Sequence, residues 1–134
     1  MGRRAITQRK IHPLLWIVEP ITDHMSYFDK SMFGCRAVYL HGRLMLVLAS
    51  GDEPWNGLLI PTEHRFHDAI RKDFADVEQH PVLKKWLYLR QSAENFENTA
   101  ADIVEAIRLN DERFGVELKE KTARKGKPRN EARE

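Results

Sequence analysis

The stretch that decides the fold runs from Met32 to Ala49 and reads MFGCRAVYLHGRLMLVLA. Two runs rich in strand-forming residues, Met32–Leu40 and Arg43–Ala49, flank the pair His41-Gly42. A two-residue connection containing glycine is typical of a β-hairpin, because such turns need left-handed backbone angles that glycine adopts freely. We therefore predict two antiparallel strands joined by a tight turn.

Further strands and helices are predicted after and before this hairpin. The runs Gly57–Ile60 and Lys84–Leu89 have the length of strands, whereas three other segments repeat apolar residues at helical spacing. The first of these begins near Pro13 and is bent at Pro20, and the other two follow caps at Thr62 and Ser92. The order α-β-β-β-α-β-α predicts a two-layer α+β fold. Its antiparallel sheet has about four to five strands, with helices on one face.

Cys35 lies on the first predicted strand. Alternation along that strand places Cys35 on one face with Phe33, Ala37 and Tyr39, and Met32 on the opposite face. A cysteine in such company is most often a small buried hydrophobic residue. To act as a nucleophile it would need a neighbouring base and a lowered pKa.

Charge is distributed unevenly along the 134 residues. The first ten carry four basic residues and no acidic one, and residues 117–134 carry seven basic and four acidic residues. Residues 11–116, the predicted single domain, hold the remaining 11 basic and 16 acidic residues, so the predicted flexible tails 1–10 and 117–134 are basic. A folded nucleic-acid reader carries a basic face of its own, so we expect at most weak, salt-dependent nucleic-acid binding through the tails.

The expected location follows from what the sequence lacks. No apolar run approaches the roughly 20 residues that cross a bilayer, and no apolar segment of a secretory signal follows the basic N-terminus. Cys35 is the one cysteine, which excludes an internal disulfide and fits a reducing compartment. We expect a cytoplasmic protein that does not enter the membrane.

The hairpin region resembles the N-terminal domain of TfoX-type proteins, in which an MFGG segment runs into a β-hairpin. The matching residues are Met32-Phe33-Gly34, Val38-Tyr39, Gly42-Arg43-Leu44-Met45 and Val47-Leu48. Cys35 stands where the family has its second glycine, and Trp55–Glu63 and Lys85–Leu89 look like a distinct bacterial group of this shape. The resemblance implies a two-layer α+β fold and supplies no catalytic residue. TfoX proteins are associated with regulation of natural competence, a role that similarity of fold does not transfer.

Aromatic residues in two segments are candidates for a ligand pocket. Trp55 and Asn56 lie in a Pro-Trp-Asn-Gly loop, and Trp86 alternates with Tyr88 along the fourth predicted strand. Aromatic rings stack planar ligands, and a neighbouring basic side chain would add a cation–π contact. The alternative is that both indoles pack at the rim of the core and bond to local acceptors.

A second candidate site surrounds the second predicted helix. Glu63, His64 and His67 are close in sequence, and His80 lies in the next loop. Imidazoles and a carboxylate are ligands of zinc or iron, and also groups for acid–base catalysis, although the spacing is not His-Glu-x-x-His. The alternative makes His64 a surface residue and His67 a residue at the edge of the core. We predict no resident cofactor, with a divalent metal at these residues as the alternative.

The predicted function rests on the lack of recognisable reaction machinery. The chain has no phosphate-binding glycine loop, paired cysteines, serine–histidine–aspartate signature or helix-turn-helix pattern. We predict a non-catalytic binding or regulatory module that associates with itself, through an open hairpin edge, or with another protein. A small metal-assisted or acid–base enzyme using Glu63, His64 and His67 is the alternative. Weak nucleic-acid binding through the basic tails is a second alternative.

Overall fold

The predicted hairpin forms, and a second tight turn precedes it. In the computed structural model, which describes residues 12–117, His41 and Gly42 have φ angles of 56° and 77°, the left-handed values expected for the turn. Phe33 and Gly34 have φ angles of 52° and 81° and form a second turn of the same kind. The prediction of one strand over Met32–Leu40 is therefore wrong, because the chain reverses direction at Phe33.

The sheet has six antiparallel strands in the order β1-β2-β3-β4-β6-β5. They are β1 (Phe28–Met32), β2 (Cys35–Leu40), β3 (Arg43–Ser50), β4 (Asn56–Ile60), β5 (Glu78–Gln79) and β6 (Leu87–Arg90). The α+β class is confirmed, but the expected four to five strands are too few. The sequence of β1 hides its strand because Asp, Lys and Ser interrupt the apolar residues, and β5 has only two residues.

Three helices accompany the sheet. They are a 3₁₀ helix (Leu15–Ile21), α1 (His67–Asp73), which continues from a 3₁₀ turn over His64–Phe66, and α2 (Phe96–Arg108). The first was expected to be a bent helix, and it is a short 3₁₀ helix with Pro20 inside it. Proline lacks the amide donor of a regular α-helix and clashes with the preceding turn, which favours this shorter geometry.

The two predicted helix caps are wrong, because both hydroxyls bond elsewhere. Thr62 Oγ1 donates to the Arg113 carbonyl at 2.5 Å. Ser92 Oγ donates to the Glu53 carboxylate at 2.8 Å. Neither α1 nor α2 has a side-chain hydrogen bond at its N-cap. Both hydroxyls thus bond to segments distant in sequence instead of capping the first turn of a helix.

The two faces of the sheet are covered differently. The main core lies between one face and all three helices, and it includes Ile17 and Ile21 of the 3₁₀ helix, Ile70 of α1 and Ile103 of α2. A smaller cluster lies on the opposite face, and in the described chain it receives residues from strands and loops alone. Its buried members are Ala37, Tyr39, Leu44, Val47, Ala49, Leu59 and Tyr88. We call the side of the sheet that these seven residues occupy the helix-free face.

Strand β1 extends the helix-free face at the edge of the sheet. Met32 pairs with Cys35 across the turn, and directly opposed residues project to the same face. The prediction that they occupy opposite faces is wrong, because two turn residues separate them where a continuous strand was expected. Phe28 likewise pairs with Tyr39, and their rings stack with centroids 4.4 Å apart.

Both predicted tails fall outside the described range, apart from Glu117. Within residues 12–117 no helix is both long and apolar enough to cross a membrane.

Candidate functional site: an apolar pocket on the helix-free face

An open pocket of about 490 Å³ lies on the helix-free face. Its floor includes the cross-strand pair Val47 and Leu59, from the adjoining strands β3 and β4. Its sides come from three segments: the β1–β2 hairpin, the β3–β4 loop and the β5–β6 loop. The lining residues are Met32, Phe33, Cys35, Val47, Trp55, Leu59, Leu83 and Trp86. A cavity of this size is in the range that accommodates small organic ligands.

Trp55 forms one wall of the pocket and is held by the loop between β3 and β4. Its amide donates to the Asp52 carbonyl at 2.7 Å, and its carbonyl accepts from the Gly51 amide at 2.8 Å. The indole packs against the His80 imidazole, with ring centroids 4.6 Å apart. These contacts hold the wall in place.

The loop between β5 and β6 supplies Leu83 and Trp86 and is tied down at several points. The Trp86 amide donates to the Leu83 carbonyl at 2.8 Å, and the Trp86 carbonyl accepts from the His80 amide at 3.0 Å. His67, on α1, has its Nε2 atom 2.9 Å from the Lys85 carbonyl. A carbonyl only accepts, so His67 donates this bond and anchors the loop from the helix layer.

His80 connects the two walls and is completely buried. Its Nε2 atom lies 2.8 Å from the Pro54 carbonyl, and its Nδ1 atom lies 3.0 Å and 2.9 Å from the amides of Val82 and Leu83. The carbonyl must accept and the amides must donate, so the ring is neutral and carries its proton on Nε2. One imidazole therefore links the loop that carries Trp55 to the loop that carries Leu83.

Because protonated His80 would set an N–H group against two amide donors, we expect the protein to be less stable in acid. Burial lowers the pKa of His80 below 6.5 and outweighs the opposing effects of the Pro54 carbonyl and Glu78. Such a histidine contributes stability that is complete above pH 6.5 and is lost as the pH falls through its folded-state pKa. The urea midpoint should therefore decrease between about pH 7.5 and about pH 5.

The variant His80→Gln should remove part of this pH dependence, since glutamine does not titrate in that range. His12, whose pKa is also lowered, first by burial and then by Arg36, should contribute to the remainder. The urea midpoints of wild type and variant, each measured at both pH values, isolate the contribution of His80. Equal pH dependence in the two proteins would contradict the assigned role of His80.

The side chains that line the pocket are almost entirely apolar. Apart from the indole N–H groups of Trp55 and Trp86, the one polar group among the lining side chains is the thiol of Cys35, and burial raises its pKa, which favours the protonated form. Met32 and Cys35 add polarisable sulfur atoms to the lining that the two indoles share. A charged ligand would lose its hydration here and gain no side-chain partner of opposite charge, which is unfavourable.

The structure brings together two of the four residues predicted for a ligand pocket. Trp55 and Trp86 line the same cavity, whereas Asn56 and Tyr88 are outside its lining. Tyr88 is fully buried, pairs with Leu59 beneath the pocket, and donates its hydroxyl to the Asn56 carbonyl at 2.8 Å. Tyr88 therefore supports the floor of the pocket from below, and its bond to Asn56 holds the first residue of β4 in place.

The residues predicted to hold a metal do not form one cluster. Glu63 pairs with Arg65 at 2.7 Å, and His67 and His80 each use a ring nitrogen to bind a backbone carbonyl. The rings of His64 and His67 are neighbours, with centroids 4.6 Å apart. Within residues 12–117 no group of three or more His, Cys, Asp or Glu side chains is arranged to hold a metal ion.

Several pocket residues had no role in the sequence-based prediction of the site. They are Met32, Phe33, Cys35, Val47, Leu59 and Leu83. Gly34 offered a weak signal, since glycine readily adopts the left-handed angles of a tight turn. Interpreting it as a turn would have placed Met32 and Cys35 on one face. The contribution of Leu83 depends on tertiary contacts of its loop.

Comparisons of the chain with protein-family models, with curated proteins and with solved structures found no match.

Proposed function

We propose that this protein is a non-catalytic binding module that holds a small, neutral, apolar molecule with an aromatic ring between Trp55 and Trp86. The observation that carries the proposal is an open, preformed cavity with two indoles and no charged side chain in its lining. Its volume of about 490 Å³ suits a molecule of two or three rings. Aromatic contacts with an indole add roughly 0.5–1.5 kcal/mol beyond the burial of apolar area.

The state of the titratable groups at the pocket favours binding over catalysis. The pKa of Cys35 is raised by burial, whereas a nucleophilic cysteine needs a lowered one. His80 has hydrogen bonds at both ring nitrogens, so neither is free to act as a base. The metal-assisted alternative has less support, because Glu63 pairs with Arg65 and His67 bonds to a carbonyl.

Self-association through the sheet edge also has less support than ligand binding. Strand β1 is at that edge and carries Asp29 and Lys30, and charged residues on an edge strand oppose pairing with another sheet. Asp29 is also engaged by Arg36, whose Nε atom donates to it at 2.7 Å. The resemblance to TfoX N-terminal domains is compatible with a binding or regulatory role and names no ligand.

The variant Trp86→Leu should bind a neutral aromatic probe at least about tenfold more weakly than wild type, or about 1.4 kcal/mol. Leucine keeps the wall apolar but removes the indole face that a ring contacts. The probe is N-phenylnaphthylamine, which fluoresces when it leaves water for an apolar site. Its dissociation constant comes from a fluorescence titration of the intact protein.

Trp16→Leu is the matched control, because Trp16 is 51% exposed and lies on the 3₁₀ helix, away from the pocket lining. It should bind the probe as wild type does. Urea unfolding of both variants establishes that they are folded. Equal weakening by the two substitutions, or no saturable binding by wild type, would count against the pocket as a ligand site.

A further inference from the structure

Phe33 is highly exposed and has an unusual backbone conformation, and no contact within the described residues accounts for either. Its side chain is 97% exposed, although it stands at the pocket and forms part of its lining. Its φ angle is 52°, in the left-handed region that bulky residues rarely occupy. The first position of such a turn favours asparagine, aspartate or glycine. Phenylalanine is therefore unfavourable here for two reasons: its backbone is in the left-handed region, and its apolar ring is exposed to water.

The position of the turn gives that ring access to the pocket. Phe33 joins β1 to β2, and its neighbours Met32 and Cys35 both contribute to the lining. The cavity that this hairpin lines is also lined by residues of the two other loops, among them Trp55 and Trp86. Among residues 12–117 nothing packs closely on this ring, so within the described part of the chain it is free to turn over an occupant.

We infer that Phe33 is a ligand-contacting residue that closes over the aromatic ring of a molecule bound between Trp55 and Trp86. This inference rests on the proposed function of the pocket. It assigns the ligand a third aromatic contact besides the two indoles. Strained or unfavourable conformations persist where a site requires them, and the turn at Phe33 is such a place.

The test is the variant Phe33→Asn, which should be more stable than wild type and yet bind more weakly. Asparagine suits the left-handed turn, so the melting temperature should rise by about 3 °C. Loss of the ring should weaken N-phenylnaphthylamine binding about tenfold. A residue that merely maintained the fold would show the opposite effect on stability.

Two further variants separate the ring from the turn. Phe33→Trp keeps an aromatic ring and should bind the probe within about twofold of wild type. His41→Asn changes the same position of the other left-handed turn, where φ is 56°, and should leave probe binding unchanged. Wild-type affinity in Phe33→Asn, with Trp86→Leu still weakened, would overturn the role of Phe33 and leave the pocket in place. Failure of wild type to bind would overturn both.

Discussion

Replacing His80 with alanine should lower the free energy of unfolding by about 3 kcal/mol. The substitution leaves a cavity at a fully buried position, and it leaves the amides of Val82 and Leu83 and the carbonyl of Pro54 without their partner. Each buried polar group left unpaired costs about 1–3 kcal/mol, partly relieved if water enters. Chemical denaturation at neutral pH measures the change.

The same substitution should weaken binding of N-phenylnaphthylamine by at least about tenfold. His80 holds both the Trp55 loop and the Leu83 loop, so its loss frees two walls of the pocket at once. The matched control is His64→Ala, an exposed histidine, which should change stability by no more than about 0.5 kcal/mol. If His80→Ala and His64→Ala behaved alike, the view of His80 as the connection between the walls would be wrong.

Replacing Gly57 with alanine should prevent stable folding, with a loss of at least about 4 kcal/mol. Gly57 has a φ of 128°, and an added Cβ would overlap the Leu89 carbonyl and lie 2.8 Å from the Gln91 nitrogen. The Leu89 carbonyl belongs to the backbone of the neighbouring strand β6, and the Gln91 nitrogen follows directly after that strand. The overlap can therefore be relieved only if β4 and β6 separate. Circular dichroism and urea unfolding report the loss.

Gly42→Ala is the control for Gly57→Ala. Gly42 also has a positive φ, 77°, but nothing lies within 4 Å of a Cβ added there. The variant should therefore show only the backbone penalty of the left-handed region, about 1 kcal/mol. If both variants lost the same free energy of unfolding, backbone overlap between β4 and β6 would not be the reason that position 57 requires glycine.

The fold could be predicted where a local rule and the tertiary structure agree. His41-Gly42 has the glycine that a tight turn needs, and its hairpin formed as expected. The turn at Phe33 was missed because phenylalanine is unfavourable at a left-handed position, so the sequence looked like a continuing strand. The two-residue strand β5 exists through its pairing with β6, which no local pattern reveals.

The site could be predicted only in part, for a related reason. Trp55 and Trp86 stood out because large aromatic residues in and beside loops often serve binding, and both line the pocket. The pairing of Val47 with Leu59 and the bond from His80 to Pro54, 26 residues away in sequence, depend on tertiary structure. His80 was therefore grouped with Glu63, His64 and His67 by residue type, although its partners are backbone groups.

The most direct test of ligand binding between Trp55 and Trp86 is an NMR titration of the isotope-labelled protein with N-phenylnaphthylamine. The chain has three tryptophans, so the side-chain indole N–H groups give three signals, and Trp16 serves as an internal reference. We predict saturable shifts of the Trp55 and Trp86 signals with the same dissociation constant, and no shift of the Trp16 signal. Shifts that favour Trp16, or no saturable shift at Trp55 and Trp86, would contradict the proposal.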